Sequence, residues 1–343
     1  MDKMFRNYVA TFLSLSTLIT HHLVGEEECE CECTCPPPPP KYTRVFIIGD
    51  FLYWMANEEG LDYAYKAKGT PGVLPLTDIR IKEFDPTWNF GFRVGLGYRL
   101  PHDCWEVRGY VTQYRTTNHL ETTAHDGQFI EPMIGTLPDA PLSFGKEEGT
   151  WHLKYTLMDL ELARGYLLGK SFMLSPFLGG RGAWINQDLH LKFRDALPPT
   201  GTSSLEITGS NDYHAGGLRV GADLNFFMAR CVSFYGHSSM SLLYGKCDVK
   251  TDITANSNSD QITSNRSPHL IKANCELRGG AKAKIPLYRE MAFFTIGLTY
   301  DMTIWFDQNE MLNFFHTPQD LQVQPKSGDL TLQGITLTTR LDF

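Results

Sequence analysis

The chain has 343 residues, 39 acidic and 31 basic side chains, a net charge of −8 and 42% hydrophobic residues. That length suits one large or two ordinary domains, and an acidic balance without a basic block excludes the phosphate-neutralising surface of a nucleic-acid binder. A mean hydropathy of −0.25 excludes a helical membrane protein but not a β-barrel, whose alternating strands average out to a soluble composition.

Residues 1–25 read as a secretory signal. Lys3 and Arg6 form a basic start, Tyr8 to Thr20 is mostly apolar, no charged residue lies between Asn7 and Gly25, and cleavage is expected after Gly25. A single membrane anchor is the alternative, but the apolar core is shorter than the ~20 residues a span needs and contains Ser, Thr and His. Residues 26–43 read as a periplasmic tether: EEECECECTC places Cys29, Cys31, Cys33 and Cys35 at alternate positions, and Pro36 to Pro40 form a stiff spacer. Thiols of exported proteins tend to pair, so cross-links between molecules are the first reading. Unstructured thiols and a soft-metal site are the alternatives. The spacing fits zinc poorly, and no metal is assigned. Cys104, Cys231, Cys247 and Cys275 show no site spacing.

From residue 44 to 343 the apolar period is two. Trp88, Phe90, Phe92, Val94, Leu96 and Tyr98 alternate with Asn89, Gly91, Arg93, Gly95, Gly97 and Arg99; Leu218 to Phe226 and Ile271 to Ala283 alternate likewise. Each run therefore has one greasy and one polar face. The runs are 12 to 18 residues long, beyond the ~5–6 of a soluble strand, and long enough to cross a bilayer at a tilt. The predicted strands are 44–56, 88–99, 104–116, 150–167, 172–187, 212–227, 231–246, 269–285, 290–306 and 329–343. Connections alternate between tight turns (100–103, 168–171, 228–230, 286–289) and long polar loops (57–87, 117–149, 188–211, 247–268, 307–328). This is the pattern of an all-β transmembrane antiparallel barrel with short periplasmic turns and long extracellular loops. It has about 10 strands, in a range of 8 to 16, because loops 57–87 and 117–149 have room for more; Leu61, Tyr63, Tyr65 and Ala67 alternate there. In the fourth strand Leu153, Tyr155 and Leu157 share a face and Leu160 and Leu162 take the other, which predicts a bulge near Met158. The last strand puts Ile335, Leu337, Thr339, Leu341 and Phe343 on one face, and Phe343 resembles the terminal aromatic read by the outer-membrane insertion machinery.

Several stretches resemble the Legionella-type pore-forming outer membrane proteins and their major-outer-membrane-protein-like relatives in environmental chlamydiae. These are Gly49-Asp50-Phe51-Leu52-Tyr53-Trp54, Gly91 to Tyr98 followed by His102-Asp103-Cys104-Trp105, Tyr155 to Arg164, and Pro176 to Trp184 with Asp188. The resemblance implies a surface-exposed, abundant, porin-like barrel in the outer membrane of a Gram-negative-type bacterium. It supplies no catalytic residue, and cross-linking through the tether fits what the chlamydial relatives suggest.

The ten-strand register turns Arg93, Glu106, Arg108, Asp159, Glu161, Arg181, Arg219, Asp223, Glu276, Arg278, Lys282 and Arg340 inward. Two readings stay open: ion pairs bracing a narrow barrel, or charged rings selecting solutes in a water-filled pore. Ten strands lie near the closed end of barrel sizes. Tyr53, Trp54, Trp88, Trp105, Trp151, Trp184, Tyr244 and Trp305 fall near strand ends and suit an interfacial girdle, with carbohydrate stacking as the alternative. Gly236-His237-Ser238-Ser239-Met240 half resembles a nucleophile elbow, but it lacks the final glycine and sits mid-strand. His102-Asp103 reads as a turn signal. The expected function is passive diffusion of small solutes together with a structural role. The alternatives are a non-conducting adhesin or cross-linked envelope protein and, remotely, a hydrolase. No cofactor is expected. The expected partners are outer-membrane lipid, the barrel-assembly machinery, small solutes and disulfide-linked envelope proteins.

Overall fold

The computed structural model describes residues 44–343 except 72–75, 102–103, 126, 134–142, 170, 198–203, 229–230, 256–259, 288–291, 317–320 and 326. The signal, the tether with its four cysteines and the His102-Asp103 turn lie outside the described residues.

Ten long strands form a closed antiparallel barrel. They are β1 (Val45–Glu58), β2 (Trp88–Arg99), β3 (Trp105–Thr123), β4 (Phe144–Arg164), β5 (Phe172–Ala196), β6 (Leu205–Phe227), β7 (Val232–Ala255), β8 (His269–Leu287), β9 (Ala292–Trp305) and β10 (Leu330–Asp342). Each pairs with its neighbours in chain order. β10 then pairs with β1 in register from Phe46↔Asp342 to Glu58↔Leu330. The seam is finished by reciprocal bonds between Val45 and Phe343: N–H to carbonyl at 3.0 Å one way and 2.9 Å the other. Closure leaves no edge in lipid, which open sheets cannot achieve.

Short strands in the loops do not join the ring. Ala64–Lys68 pairs with Thr77–Lys82 and with Gln128–Pro132, and the last of these touches the end of β4 at Ile130↔Phe144. Asp260–Arg266 folds back on β7, and Leu312–His316 pairs with Leu321–Pro325. The strands that loops 57–87 and 117–149 had room for therefore exist, but as an outer rim.

The barrel is taller than the sequence pattern predicts. β5 runs 25 residues and β7 runs 24, extended at the long-loop end. A tilted crossing needs about 9–11 residues, so the upper part of these strands stands beyond the bilayer. The burial pattern changes along each strand accordingly. On β5, outward Pro176, Leu178 and Trp184 give way to outward Asn186, Asp188, His190, Lys192 and Arg194, while inward Arg181 gives way to buried Ala183, Ile185, Leu189, Leu191 and Phe193. β6 and β7 repeat this. Outward Leu218 and Val220 are replaced higher up by Asp212 and Ser210, and outward Leu242 and Tyr244 by Lys246, Asp248 and Lys250.

This corrects the bulge expected near Met158. β4 pairs with β3 and with β5 without a register shift through Met158, and Leu153, Tyr155, Leu157, Asp159 and Glu161 all point inward. What looked like a change of phase is a change of chemistry on an unbroken face.

Three of the expected interfacial aromatics are also corrected. Trp54, Trp151 and Trp305 are 2%, 1% and 0% exposed inside the barrel, because the upper interior is apolar. Tyr53, Trp88, Trp184 and Tyr244 face outward and are exposed; Trp105 is half-buried at the short-turn end.

Candidate functional site: a charged girdle across the lumen

The site is built by register. Because inward positions recur every second residue, opposite charges on neighbouring strands meet at one height. Asp50 on β1 lies opposite Arg93 on β2, Arg108 on β3 opposite Glu161 on β4, Asp159 opposite Arg181 on β5, and Arg278 on β8 opposite Asp301 on β9. Arg93 Nη1 is 3.0 Å from Asp50 and 3.7 Å from Asp301. Arg278 donates to Glu276 at 2.9 Å and lies 3.6 Å from Asp301.

Other contacts cross the lumen rather than follow its wall. Arg108 on β3 reaches Asp223 on β6 at 2.6 Å. Arg219 on β6 donates to Asp159 at 2.8 Å and Glu161 at 2.7 Å on β4, and to Glu276 on β8 at 2.8 Å. Arg181 holds Asp159 at 2.6 Å and reaches across to Glu276 at 2.5 Å. From Asp50 to Asp223 these groups form one connected network. The side chains of Arg181 and Arg219 are 0% and 1% exposed, and those of Asp159, Glu161 and Glu276 4% or less. A water-sized sphere does not reach the middle of this girdle.

Aromatic rings tighten it. Arg108 and Arg219 lie 5.3 and 5.4 Å from the Phe177 ring, and His237 stacks on the same ring at 5.5 Å. The ring has room because inward position 221 is glycine: a Cβ there would fall 2.6 Å from Phe177 Cζ. Directly above, Trp305 Nε1 donates to Tyr155 Oη at 3.0 Å, Trp54 Nε1 donates to Thr336 Oγ1 at 3.0 Å, and Tyr114 Oη donates to the Trp54 carbonyl at 2.9 Å. These rings begin a continuous apolar core that includes Leu153, Ile185, Leu191, Phe193 and Ile253.

A second cluster lies at the short-turn end, where Arg99 pairs with Glu106 at 2.7 Å and Arg340 with Asp342 at 2.7 Å. Lys282 Nζ sits 3.1 Å from the centre of the Tyr235 ring. The structure thus places every inward-predicted charge on the inner face: Arg93, Arg108, Asp159, Glu161, Arg181, Arg219, Asp223, Glu276 and Arg278 in the girdle, and Glu106, Arg340 and Lys282 below it. Missing from the prediction are Asp50, Asp301, His237, Tyr235, Arg99 and Asp342. Each stands at an inward alternate position, so strand parity was the signal that could have found them.

His237 sits on the inner face beside Asp223 and Ser239. Its Nδ1 is 2.7 Å from Asp223 and its Nε2 is 3.3 Å from Ser239 Oγ, an order that resembles a nucleophile, base and acid. Yet Arg219 Nη2 lies 3.2 Å from the same Nε2 and donates to Ser239 Oγ at 3.1 Å, and Ser239 is 2% exposed. The arrangement braces the girdle. Ser238, the elbow position of the half-motif, faces outward on an unkinked strand.

The sequence profile described as Legionella pneumophila major outer membrane protein precursor matches residues 38–343. The chain belongs to this family. Its place is the outer membrane, and the outward Leu160, Leu218 and Ile271, 62%, 70% and 70% exposed, are the lipid face of this major-outer-membrane-protein barrel. No curated protein sequence matches the chain. Among solved structures it is similar to the outer membrane protease OmpT of Escherichia coli at 9% identity, with 90% of this chain and 98% of that one covered and a TM-score of 0.40. It is also similar to a Pseudomonas aeruginosa FadL homologue, at 6% identity, 88% and 90% coverage and a TM-score of 0.26. The toluene transporter TodX of P. putida follows at 7% identity, the same coverage and a TM-score of 0.23. Scores this low carry no functional argument.

Proposed function

We propose that this family member is a surface-exposed structural barrel of the outer membrane whose lumen is sealed at rest by the ion-paired girdle. The burial of Arg181 and Arg219, whose side chains are 0% and 1% exposed, carries the reading. In a water-filled pore such side chains would be hydrated; here guanidiniums and carboxylates pair with one another across the lumen, and an apolar core stands above them. The long strands then present an extended surface outside the cell, and Phe343, beside the closing seam, serves as the assembly signal.

A second reading, passive diffusion of small solutes, is favoured by the mixed charge of the lower inner face and by what the family resemblance implies. It requires the girdle to rearrange, because Arg108, Arg181 and Arg219 bridge opposite walls. Single-channel recording of the refolded chain in a planar bilayer decides. The sealed reading expects a silent baseline from the correctly folded chain, because the apolar core above the girdle also fills the lumen. Frequent steps in the unmodified chain establish the pore and overturn the seal. The tether adds a separate expectation: disulfide-linked oligomers on non-reducing gels that vanish when Cys29, Cys31, Cys33 and Cys35 are replaced by serine. Cys231, a free and exposed thiol at a short turn, is the control to replace alone.

A further inference from the structure

The long-loop end contains a cavity that neither the girdle nor the family accounts for. Its volume is about 150 Å³, and it is lined by Glu58 and Glu59 at the end of β1, Asp62 and Glu83 from the following loop, and the rings of Phe84 and Trp151. Phe84 and Trp151 are buried, whereas Glu59 and Glu83 are exposed at the rim. Glu58 is 5% exposed. One of its oxygens accepts from Gln187 Nε2 at 3.1 Å, and Gln187 in turn accepts from Trp151 Nε1 at 3.2 Å. The other, Oε1, has no hydrogen-bond partner. A buried carboxylate oxygen without a donor is costly, and few native structures keep one without a reason. The backbone that carries the rim is pinned: Glu59 N–H donates to the Asp329 carbonyl at 3.0 Å, and its own carbonyl accepts from Asn309 Nδ2 at 3.0 Å. The acids are therefore presented by a fixed turn.

We propose that this cavity binds a compact organic cation, a primary ammonium or guanidinium group, with Glu58 at the floor, Asp62 and Glu83 at the rim, and Phe84 and Trp151 as walls. An organic cation fits better than a metal ion for two reasons. Among the described residues no three carboxylate, histidine or cysteine side chains converge closely enough to hold a metal. Aromatic walls attract a weakly hydrated cation, and most strongly one already stripped of water. The volume admits a head group of a few heavy atoms, several times the ~30 Å³ share of one water, while the chain bearing that head group would extend towards the loops. The partner class is thus an amine- or guanidine-bearing solute or a lysine or arginine side chain presented from outside the cell.

The test is calorimetric titration of the full chain, refolded in detergent micelles, with methylguanidinium and methylammonium chloride against sodium and calcium chloride at matched ionic strength. Saturable binding of an organic cation is expected, weakened tenfold or more in Glu58→Gln and in Glu83→Gln. It should be unchanged in Glu121→Gln, whose carboxylate lies at the same end but pairs with Lys146 at 2.9 Å outside the cavity. Glu83 is exposed, so its substitution keeps the test valid if Glu58→Gln fails to fold. The absence of saturable heat, binding of calcium alone, or an equal loss in Glu121→Gln would each overturn the proposal.

Discussion

Strand β5 contains two proteins in one stretch. Below Trp184 its outward residues Pro176 and Leu178 belong in lipid, and its inward Arg181 is part of an ion network. Above Trp184 its outward Asp188, His190 and Lys192 belong in water, and its inward Ile185, Leu189, Leu191 and Phe193 form a core. The lower half is a membrane barrel with a polar inside, and the upper half is a soluble barrel with an apolar inside. Both use the same period of two. Solvent alone decides which face is greasy, because each half buries what its surroundings will not solvate.

The largest expected effect is in the lower interior. Arg219 is the common partner of Asp159, Glu161 and Glu276. Arg219→Leu leaves three buried carboxylates short of a donor, and losing one member of a buried network costs about 3–5 kcal/mol. Urea unfolding of the protein refolded in lipid vesicles should show that loss. Arg115→Leu is the comparison: Arg115 is an exposed outward residue, and its change should stay within about 0.5 kcal/mol. Equal effects would mean that the girdle does not hold the lower half together.

The upper interior has its own weak point. Glu147 on β4 faces inward, is fully buried, and has neither carboxylate oxygen hydrogen-bonded. Burial raises its pKa from 4.5 to about 8, with Lys82 opposing. Between the unfolded and folded values the folded chain holds a proton that the unfolded chain has lost, so stability falls as pH rises from about 4.5 to about 8 and then levels. The loss between pH 5 and pH 8 should be on the order of 3 kcal/mol. Glu147→Gln should remove most of that slope, seen as urea midpoints that no longer differ between the two pH values. A slope that persists would place its origin elsewhere.

The ten-strand ring and the inward parity of its charges were legible, because alternation survives whatever surrounds the strand. Three things were not. Trp54, Trp151 and Trp305 look like interface residues in a sequence, since nothing local says that the strand has left the bilayer. In β4, Leu157 and Leu160 lie on opposite faces with no break between them, and a change of solvent imitates a change of phase. The contacts that close the lumen, such as Arg181 with Glu276 and Arg108 with Asp223, join residues about a hundred positions apart on strands that are not neighbours. Parity gives their direction and says nothing of their partner.

The boundary between the halves can be located by substitutions on the outer face. Leu218 on β6 is 70% exposed in the greasy belt. Leu218→Lys should destabilise the vesicle-embedded protein by about 2 kcal/mol, the lower end of the range for lysine near the bilayer midplane. The effect should shrink in detergent micelles, which deform around a charge.

The smallest expected effect is the most discriminating. Lys250 on β7 faces outward, six residues above Tyr244 and on the same face, so it stands about 20 Å further along the strand at the usual rise per residue. If the upper half is in water, Lys250→Leu exposes one isolated apolar side chain and changes stability by less than about 0.5 kcal/mol. If lipid extended that far, the same change would remove a charge from hydrocarbon and stabilise by about 2 kcal/mol or more. Unfolding in vesicles of increasing acyl-chain length makes the comparison internal: a thicker bilayer should bring Tyr244 fully into hydrocarbon before it reaches Lys250. A substitution that stays neutral in every bilayer fixes the waterline below residue 250, and with it the height at which this barrel turns from one rule to the other.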